Sequence, residues 1–262
     1  MAIKVVSSKS NPLFKQIKSI ANDNTAYRQS QQIWLEGEHL CQAAIDSGLS
    51  LSYLVLMDSV SPDISSRWAA YCENTIQVPL VLMAALSALP SPSWIGAVIT
   101  LPLSNSLDLS ESAVVLDKVQ DPGNAGAILR CAAAFGFQQV WTTKETVAMW
   151  STKVIRSAMG AHFGLKITES MHIETILHTR MPVLLTDVHH GEYLHRLNAS
   201  DQLPWPCIWV FGHEGKGVSD QWKAAHIRKV RIAQPGGQES LNVASAAAIC
   251  LHASASQRVE KC

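Results

Sequence analysis

The chain has 262 residues, 47% hydrophobic and 16% charged, enough for one large or two ordinary domains and too apolar for a disordered segment. Its 21 basic residues balance 21 acidic ones, so bulk charge declares no nucleic-acid partner. No apolar run approaches the roughly 18 residues of a membrane span, and MAIKVVSSKSNPLFK lacks the apolar core of a signal sequence. The expectation is a soluble, cytoplasmic protein with no membrane partner.

The first part of the chain alternates between helical and strand patterns. NPLFKQIKSIAND spaces Leu13, Phe14, Ile17 and Ile20 along one helical face. QIWLEG is a short strand stopped by Gly37, and EHLCQAAIDSG is a helix closed by Gly48. LSYLVLM is a buried strand, DISSRWAAYCEN a helix behind Pro62, and PSWIGAVITLP a strand between prolines. The serine-rich SNSLDLSES reads as a linker. Beyond it AVVLDKV, QQVWTT, PVLLTDV, CIWVFG and KVRIA are strands. NAGAILRCAAAFG, TKVIRSAMGA and SDQWKAAH are helices between them, and LNVASAAAICLHASAS is a last helix. Near-continuous apolar strands separated by helices predict an α/β domain on a parallel sheet covered on both faces. The ligand site of such a sheet lies at the carboxyl ends of its strands. The expected organisation is a domain over 1–104, a linker over 105–112 and a second domain over 113–262.

Charge is unevenly spread. Residues 1–30 carry Lys4, Lys9, Lys15, Lys18 and Arg28 against Asp23, and residues 216–231 carry Lys216, Lys223, Arg228, Lys229 and Arg231 against Asp220. Such faces bind phosphate or simply solvate a helix. The six cysteines form no CxxC pair and lie mostly in apolar context, as reduced core residues do. HHGEYLH, from His189 to His195, lacks metal-ligand spacing and nearby cysteines, so it reads as a solvated loop or helix start and no metal is expected.

Three post-strand loops are chemically unusual. The first, in LDKVQDPGNAGAILRCAAAFGF, carries Asp121, Gly123 and Asn124 and leads into a small-residue helix with Arg130 in its middle. The second, VFGHEGKGVS, places Gly212, Gly215 and Gly217 in the order G-x-x-G-x-G. That order is neither the dinucleotide fingerprint nor a P-loop, and a nucleotide-binding Rossmann enzyme is disfavoured accordingly. One glycine would serve a tight turn, whereas three also allow close approach to a ligand or another backbone segment. The third, IAQPGGQESLNVASAAA, offers Ser240 or Asn242 as a helix N-cap and presents backbone N–H groups to a pocket.

Together the three loops resemble, in order and spacing, the signature motifs of the SpoU/TrmH-type RNA 2′-O-ribose methyltransferases of the SPOUT superfamily, from Leu116 to about Ala253. NPLFK and LEGEHL are similar to the small L30e-like RNA-binding domain that many members carry in front. The resemblance implies an N-terminal L30e-like α/β domain followed by a SPOUT α/β domain with a C-terminal trefoil knot. It implies S-adenosylmethionine held by Gly212, Ile232 and Leu241, largely through backbone, with Phe211, Gly217 and Thr186 at the rim. It implies a homodimer that builds its active site from both subunits, and an RNA substrate, ribosomal (23S) ahead of transfer RNA. The catalytic set mapped from the motifs is Asn124, Arg130, Glu214, Ser240 and Asn242. The resemblance implies that Arg130 binds the phosphate beside the target ribose and favours loss of the hydroxyl proton, that Asn124 holds the loop and reaches the ribose, and that Glu214 fixes the second loop. Lys9, Asn11, Lys15 and Lys18 of the front domain are the expected RNA-gripping residues. Two departures, His213 for the usual Asn and Ala233 for the usual Pro, leave open a shifted substrate preference. The competing expectation is a catalytically inactive RNA-binding or ribosome-assembly factor on the same fold.

Overall fold

A computed structural model describes residues 3–102, 107–225, 227–237 and 240–259. Glu239 of the third motif, residues 105–106 of the expected linker and Cys262 lie outside the described residues. The elements begin with β1 (Lys4–Val5), α1 (Pro12–Asn22), α2 (Tyr27–Ser30), β2 (Gln32–Glu36) and α3 (Glu38–Asp46). They continue with β3 (Leu51–Met57), α4 (Pro62–Ala69), β4 (Thr75–Val78), α5 (Leu80–Leu86) and β5 (Ile95–Thr100). After these come β6 (Ala113–Asp117), α6 (Pro122–Ala134), β7 (Gln139–Thr142), α7 (Thr152–Ala158) and β8 (Lys166–Thr168). Then follow α8 (Ile173–Leu177), β9 (Val183–Thr186), β10 (Glu192–Tyr193) and α9 (Leu194–Ala199). The last are β11 (Ile208–Gly212), α10 (Asp220–Ala224), β12 (Arg228–Arg231) and α11 (Val243–Val259).

The chain forms two compact units, Met1–Pro102 with Trp150–Phe163, and Leu103–Met149 with Gly164–Cys262. The first is built on a five-stranded sheet in the order β1-β4-β3-β5-β2, parallel from β1 to β3 and antiparallel through β5 and β2. Helix α1 forms because Asn11 caps it, its Oδ1 accepting from the N–H groups of Leu13 and Phe14 at 2.9 and 3.2 Å, with Pro12 at the first helical position. Its buried face, Phe14, Ile17, Ile20 and Ala21, packs into a core with Trp34, Val55, Val98 and Met83. Helix α7 belongs here by its contacts although it lies beyond the serine-rich stretch in sequence. It packs on β2, Thr152 Oγ1 donates to Ala21 O at 3.1 Å, and its buried face is Val154, Ile155 and Ala158.

The second unit carries a seven-stranded sheet in the order β10-β12-β9-β11-β6-β7-β8, every pair parallel. Its central strands β6, β7 and β11 are buried at every residue, as a sheet covered on both faces requires. One core cluster joins Val115, Trp141, Leu185, Val210 and Trp222. Helix α11 lies against α6, α9 and β11, and Trp209 Nε1 donates to Ser254 Oγ at 2.9 Å across that contact. The described end of the serine-rich stretch is tied to this unit. Gln139 bonds the backbone of Asp108 and Glu111, and Lys166 Nζ sits 2.7 Å from Glu111 Oε2. Among the described residues no helix is long and apolar enough to cross a membrane.

Candidate active site

The three unusual loops leave the carboxyl ends of β6, β11 and β12, where an α/β sheet presents its ligand site. The first is anchored from below by Asp117, the fully buried last residue of β6. Its Oδ1 accepts from Thr143 Oγ1 at 2.8 Å and Ser219 Oγ at 3.0 Å, and its Oδ2 accepts from Ser219 N at 2.6 Å. One side chain thus ties the end of β6 to the residue after β7 and to the start of α10. Lys118 follows in a left-handed conformation, φ 61°, with its N–H donated to the hydroxyls of Thr143 and Thr146 at 3.2 and 3.1 Å.

Glu214, Asn124 and Asn242, one from each motif, form a continuous hydrogen-bonded chain. Glu214 Oε1 accepts from Asn124 Nδ2 at 3.0 Å, and Asn124 Oδ1 accepts from Asn242 Nδ2 at 2.9 Å. Asn242 Oδ1 then accepts from the N–H groups of Ala244 and Ser245 at 2.9 and 3.2 Å, capping α11. A carboxylate only accepts, so each amide orientation along the chain follows from it. Of the two candidate caps, Asn242 takes the role. Asn124 is already engaged at both ends of its amide.

Glu214 also accepts from the N–H groups of Asp121 and Gln120, at 3.2 and 3.4 Å. Burial pushes its carboxyl up, but the bonds from Asn124 and from the N–H groups of Glu214 itself, Asp121 and Gln120 outweigh this and hold it below the ordinary 4.5. A carboxyl depressed on folding adds stability that is present above its unfolded value and is lost as pH falls through the folded one. Glu214→Gln is therefore expected to be less stable than wild type at neutral pH. The gap should close in urea melts as pH falls below 4.5 and through the lowered folded value; a gap that holds constant into acid would assign the stabilisation to another group.

Beside this chain lies a cleft of about 800 Å³. Thr186, Phe211, Gly212, Gly217, Ile232 and Leu241, the six expected donor-binding residues, all line it, with Glu214 and Ser240. Gly212 is required by close approach, since a Cβ there would lie 2.4 Å from the backbone carbon of Gly217 and the nitrogen of Val218. His213 and Gly217 close the turn with reciprocal backbone bonds at 3.0 and 2.8 Å, Gly217 at φ 68°. His213 Nδ1 accepts from Gly215 N–H at 2.9 Å, as an Asn side chain does in an Asx turn, so the replacement keeps the turn. With Nδ1 accepting, its 4.0 Å separation from Glu214 Oε2 is no ion pair. Thr186 Oγ1 donates to Val210 O at 3.0 Å, leaving its lone pairs to the cleft. Asp187, His189, His190, Lys216, Lys223 and Lys229 add a polar wall.

Arg130 stands apart from both clusters. It is exposed on α6, six residues and about 9 Å along the axis from Asn124. It makes no ion pair or hydrogen bond among the described residues and does not line the cleft. In the first unit Lys9, Lys15 and Lys18 are exposed and unpaired among the described residues, while the Asn11 carbonyl is committed to its cap. Asp117 was not singled out from sequence. Its signal, an acid closing an apolar strand, is too common to stand out. The five described cysteines are free, and burial pushes the Cys41 and Cys207 thiols up to about 12. Among the described residues no group of three or more His, Cys, Asp or Glu could hold a metal.

A family model described as SpoU rRNA Methylase matches residues 111–252. An uncharacterized tRNA/rRNA methyltransferase of Synechocystis sp. is 29% identical over 259 residues, 95% of this chain and 93% of that protein. A 23S rRNA guanosine 2′-O-methyltransferase of Bacillus subtilis is 26% identical over 256 residues, 95% of this chain and 98% of that protein. Two solved structures share the fold. An AdoMet-bound rRNA methyltransferase from Sinorhizobium meliloti has a TM-score of 0.82 at 24% identity, covering 96% of this chain and 97% of that one. An RNA 2′-O ribose methyltransferase has a TM-score of 0.78 at 25% identity, covering 97% and 99%.

Proposed function

The chain belongs to the SpoU rRNA methylase family, and we propose on that footing that it methylates the 2′-hydroxyl of a ribose in structured RNA, ribosomal (23S) ahead of transfer RNA, with S-adenosylmethionine as donor. The observation that carries this is the hydrogen-bonded chain Glu214–Asn124–Asn242, which joins the three motif loops beside a cleft that the second and third of them line.

The residues present fit that donor. The cleft volume falls in the range of roughly 300–1,000 Å³ usual for small-molecule sites. Ile232, Leu241 and Val230 offer apolar surface to a base, and Lys216, Lys223 and Lys229 offer cations to a carboxylate. When bound, the donor supplies a methyl group already activated by its sulfonium charge. The chain's own task is to position the hydroxyl and help remove its proton. Arg130 holds the neighbouring phosphate with its planar fork and favours loss of that proton. Glu214, Asn124 and Asn242 hold the loops in register, and Ser240 lines the wall beside the ribose. The lysines of the first unit, with Asn11, grip RNA.

The same reading takes residues 1–104 as an L30e-like domain, 105–112 as linker and 113–262 as the methyltransferase domain with its trefoil knot. The close approaches at Gly212 and Gly191, each with backbone about 2.4 Å or less from a would-be Cβ, support the threading. A homodimer is supported by the small, exposed face of α6 and by Leu241 and Ile249, both over a third exposed on and beside α11. The protein is taken as cytoplasmic.

The test is a calorimetric donor titration together with a map of 2′-O-methyl positions in total RNA from cells with and without the protein. Donor binding and a missing ribosomal methyl support the reading. A missing transfer-RNA methyl moves the substrate, and absence of donor binding returns the chain to an inactive RNA-binding factor.

A further inference from the structure

Two arginines of the second unit gather on one tyrosine ring while their neighbours pair with acids. On β12, Arg228 Nε donates to Glu192 Oε1 at 2.8 Å, and Lys229 Nζ lies 3.8 Å from Asp187 Oδ2. Arg231 ends the same strand and Arg196 sits on α9, and neither makes an ion pair among the described residues. Both guanidinium groups lie over the ring of Tyr193, Arg231 Cζ at 3.9 Å and Arg196 Cζ at 5.3 Å from its centroid. Tyr193 is the register partner of Arg231 on the edge strand β10. The His195 ring stands 5.3 Å from it. His195 and Arg196 are exposed, Tyr193 and Arg231 half-buried. Val230 and Ile232, on either side of Arg231, line the donor cleft.

Two cations gathered on one aromatic ring repel each other, and the ring face offsets only part of that. A bound anion removes the remainder. Stacking also fixes the guanidinium planes, so less side-chain freedom is lost when they bind. Forked donors beside the exposed His195 ring suit a phosphodiester backbone whose bases can stack. We propose that Tyr193, Arg196 and Arg231 form a binding site for a single-stranded segment of the RNA substrate, outside the donor cleft, with the arginines on backbone phosphates. This rests on the RNA-methyltransferase reading above.

The test uses the full chain and a fluorescein-labelled oligouridylate, titrated by anisotropy over a salt series. Arg196→Gln and Arg231→Gln are each expected to weaken binding about 3–10-fold at low salt, and the double variant to lower the slope of log K against log salt by about 1–2. S-adenosylhomocysteine affinity should stay at the wild-type value, which reports an intact cleft and fold. Arg228→Gln, whose charge is already paired, should keep the wild-type slope. A double variant that keeps wild-type affinity and slope overturns the site, as does an equal drop in Arg228→Gln, which would mean diffuse charge. Wild type that binds neither the oligouridylate nor S-adenosylhomocysteine overturns the functional reading, and the site with it.

Discussion

Replacing Arg130 by alanine is expected to lower methyl transfer by about 10²-fold or more while leaving donor affinity near wild type. The two halves of that expectation have separate grounds. Arg130 does not line the cleft, so the donor loses no contact. It is exposed on α6 and unpaired among the described residues, so its charge is committed to no internal partner and is free for a phosphate. Alanine is the better helix former at an exposed helical position, so stability should change by less than about 0.5 kcal/mol. Arg130→Lys should recover only part of the rate, because an ammonium cannot copy the bidentate fork. Single-turnover transfer to ribosomal RNA, with calorimetry of S-adenosylhomocysteine, checks both halves. Undiminished transfer by the alanine variant would remove Arg130 from the mechanism.

Asp117→Ala should cost about 3–5 kcal/mol of stability, because three buried or half-buried donors on Ser219 and Thr143 lose their acceptor at once, each worth roughly 1–3 kcal/mol. That is a large share of the roughly 5–15 kcal/mol holding a typical domain. Asp117→Asn should lose less, since the amide can keep its oxygen on Ser219 N–H and turn its nitrogen to hydroxyls that can accept. Urea unfolding extrapolated to water measures both variants. A loss under about 1 kcal/mol in Asp117→Ala would mean that Ser219 and Thr143 find other partners.

Much of the second unit was legible in the sequence because its signals are long. AVVLD, QVWT and IWVFG are buried at every residue, and each is followed by a helix with a recognisable start or by a glycine-bearing loop. The elements that escaped are short or ambiguous. Strands β1 and β10 have two residues each, too few for alternation to register. Helix α5, LVLMAAL, is apolar on every side, with Leu80 and Val81 more than half exposed, so no face could be read from it. The motif residues could be named individually, but their mutual arrangement could not. Asn124 and Asn242 stand 118 positions apart, and only the parallel sheet brings them to 2.9 Å. For Arg130 the sequence could suggest a role, while its place on the outer face of α6, away from the cleft, depends on helix phase.

The excursion through α7 has a consequence for modularity. The chain leaves the second unit after Met149, contributes Trp150–Phe163 to the first, and re-enters at Gly164. Neither unit is therefore a contiguous stretch of gene. A single cut at the serine-rich stretch leaves the front piece without the helix that covers β2, and leaves the back piece carrying that helix with its apolar side, Val154, Ile155 and Ala158, stripped of its partner. Swapping either module between relatives needs three junctions, after Pro102, Met149 and Phe163, and the helix has to travel with the strand it covers.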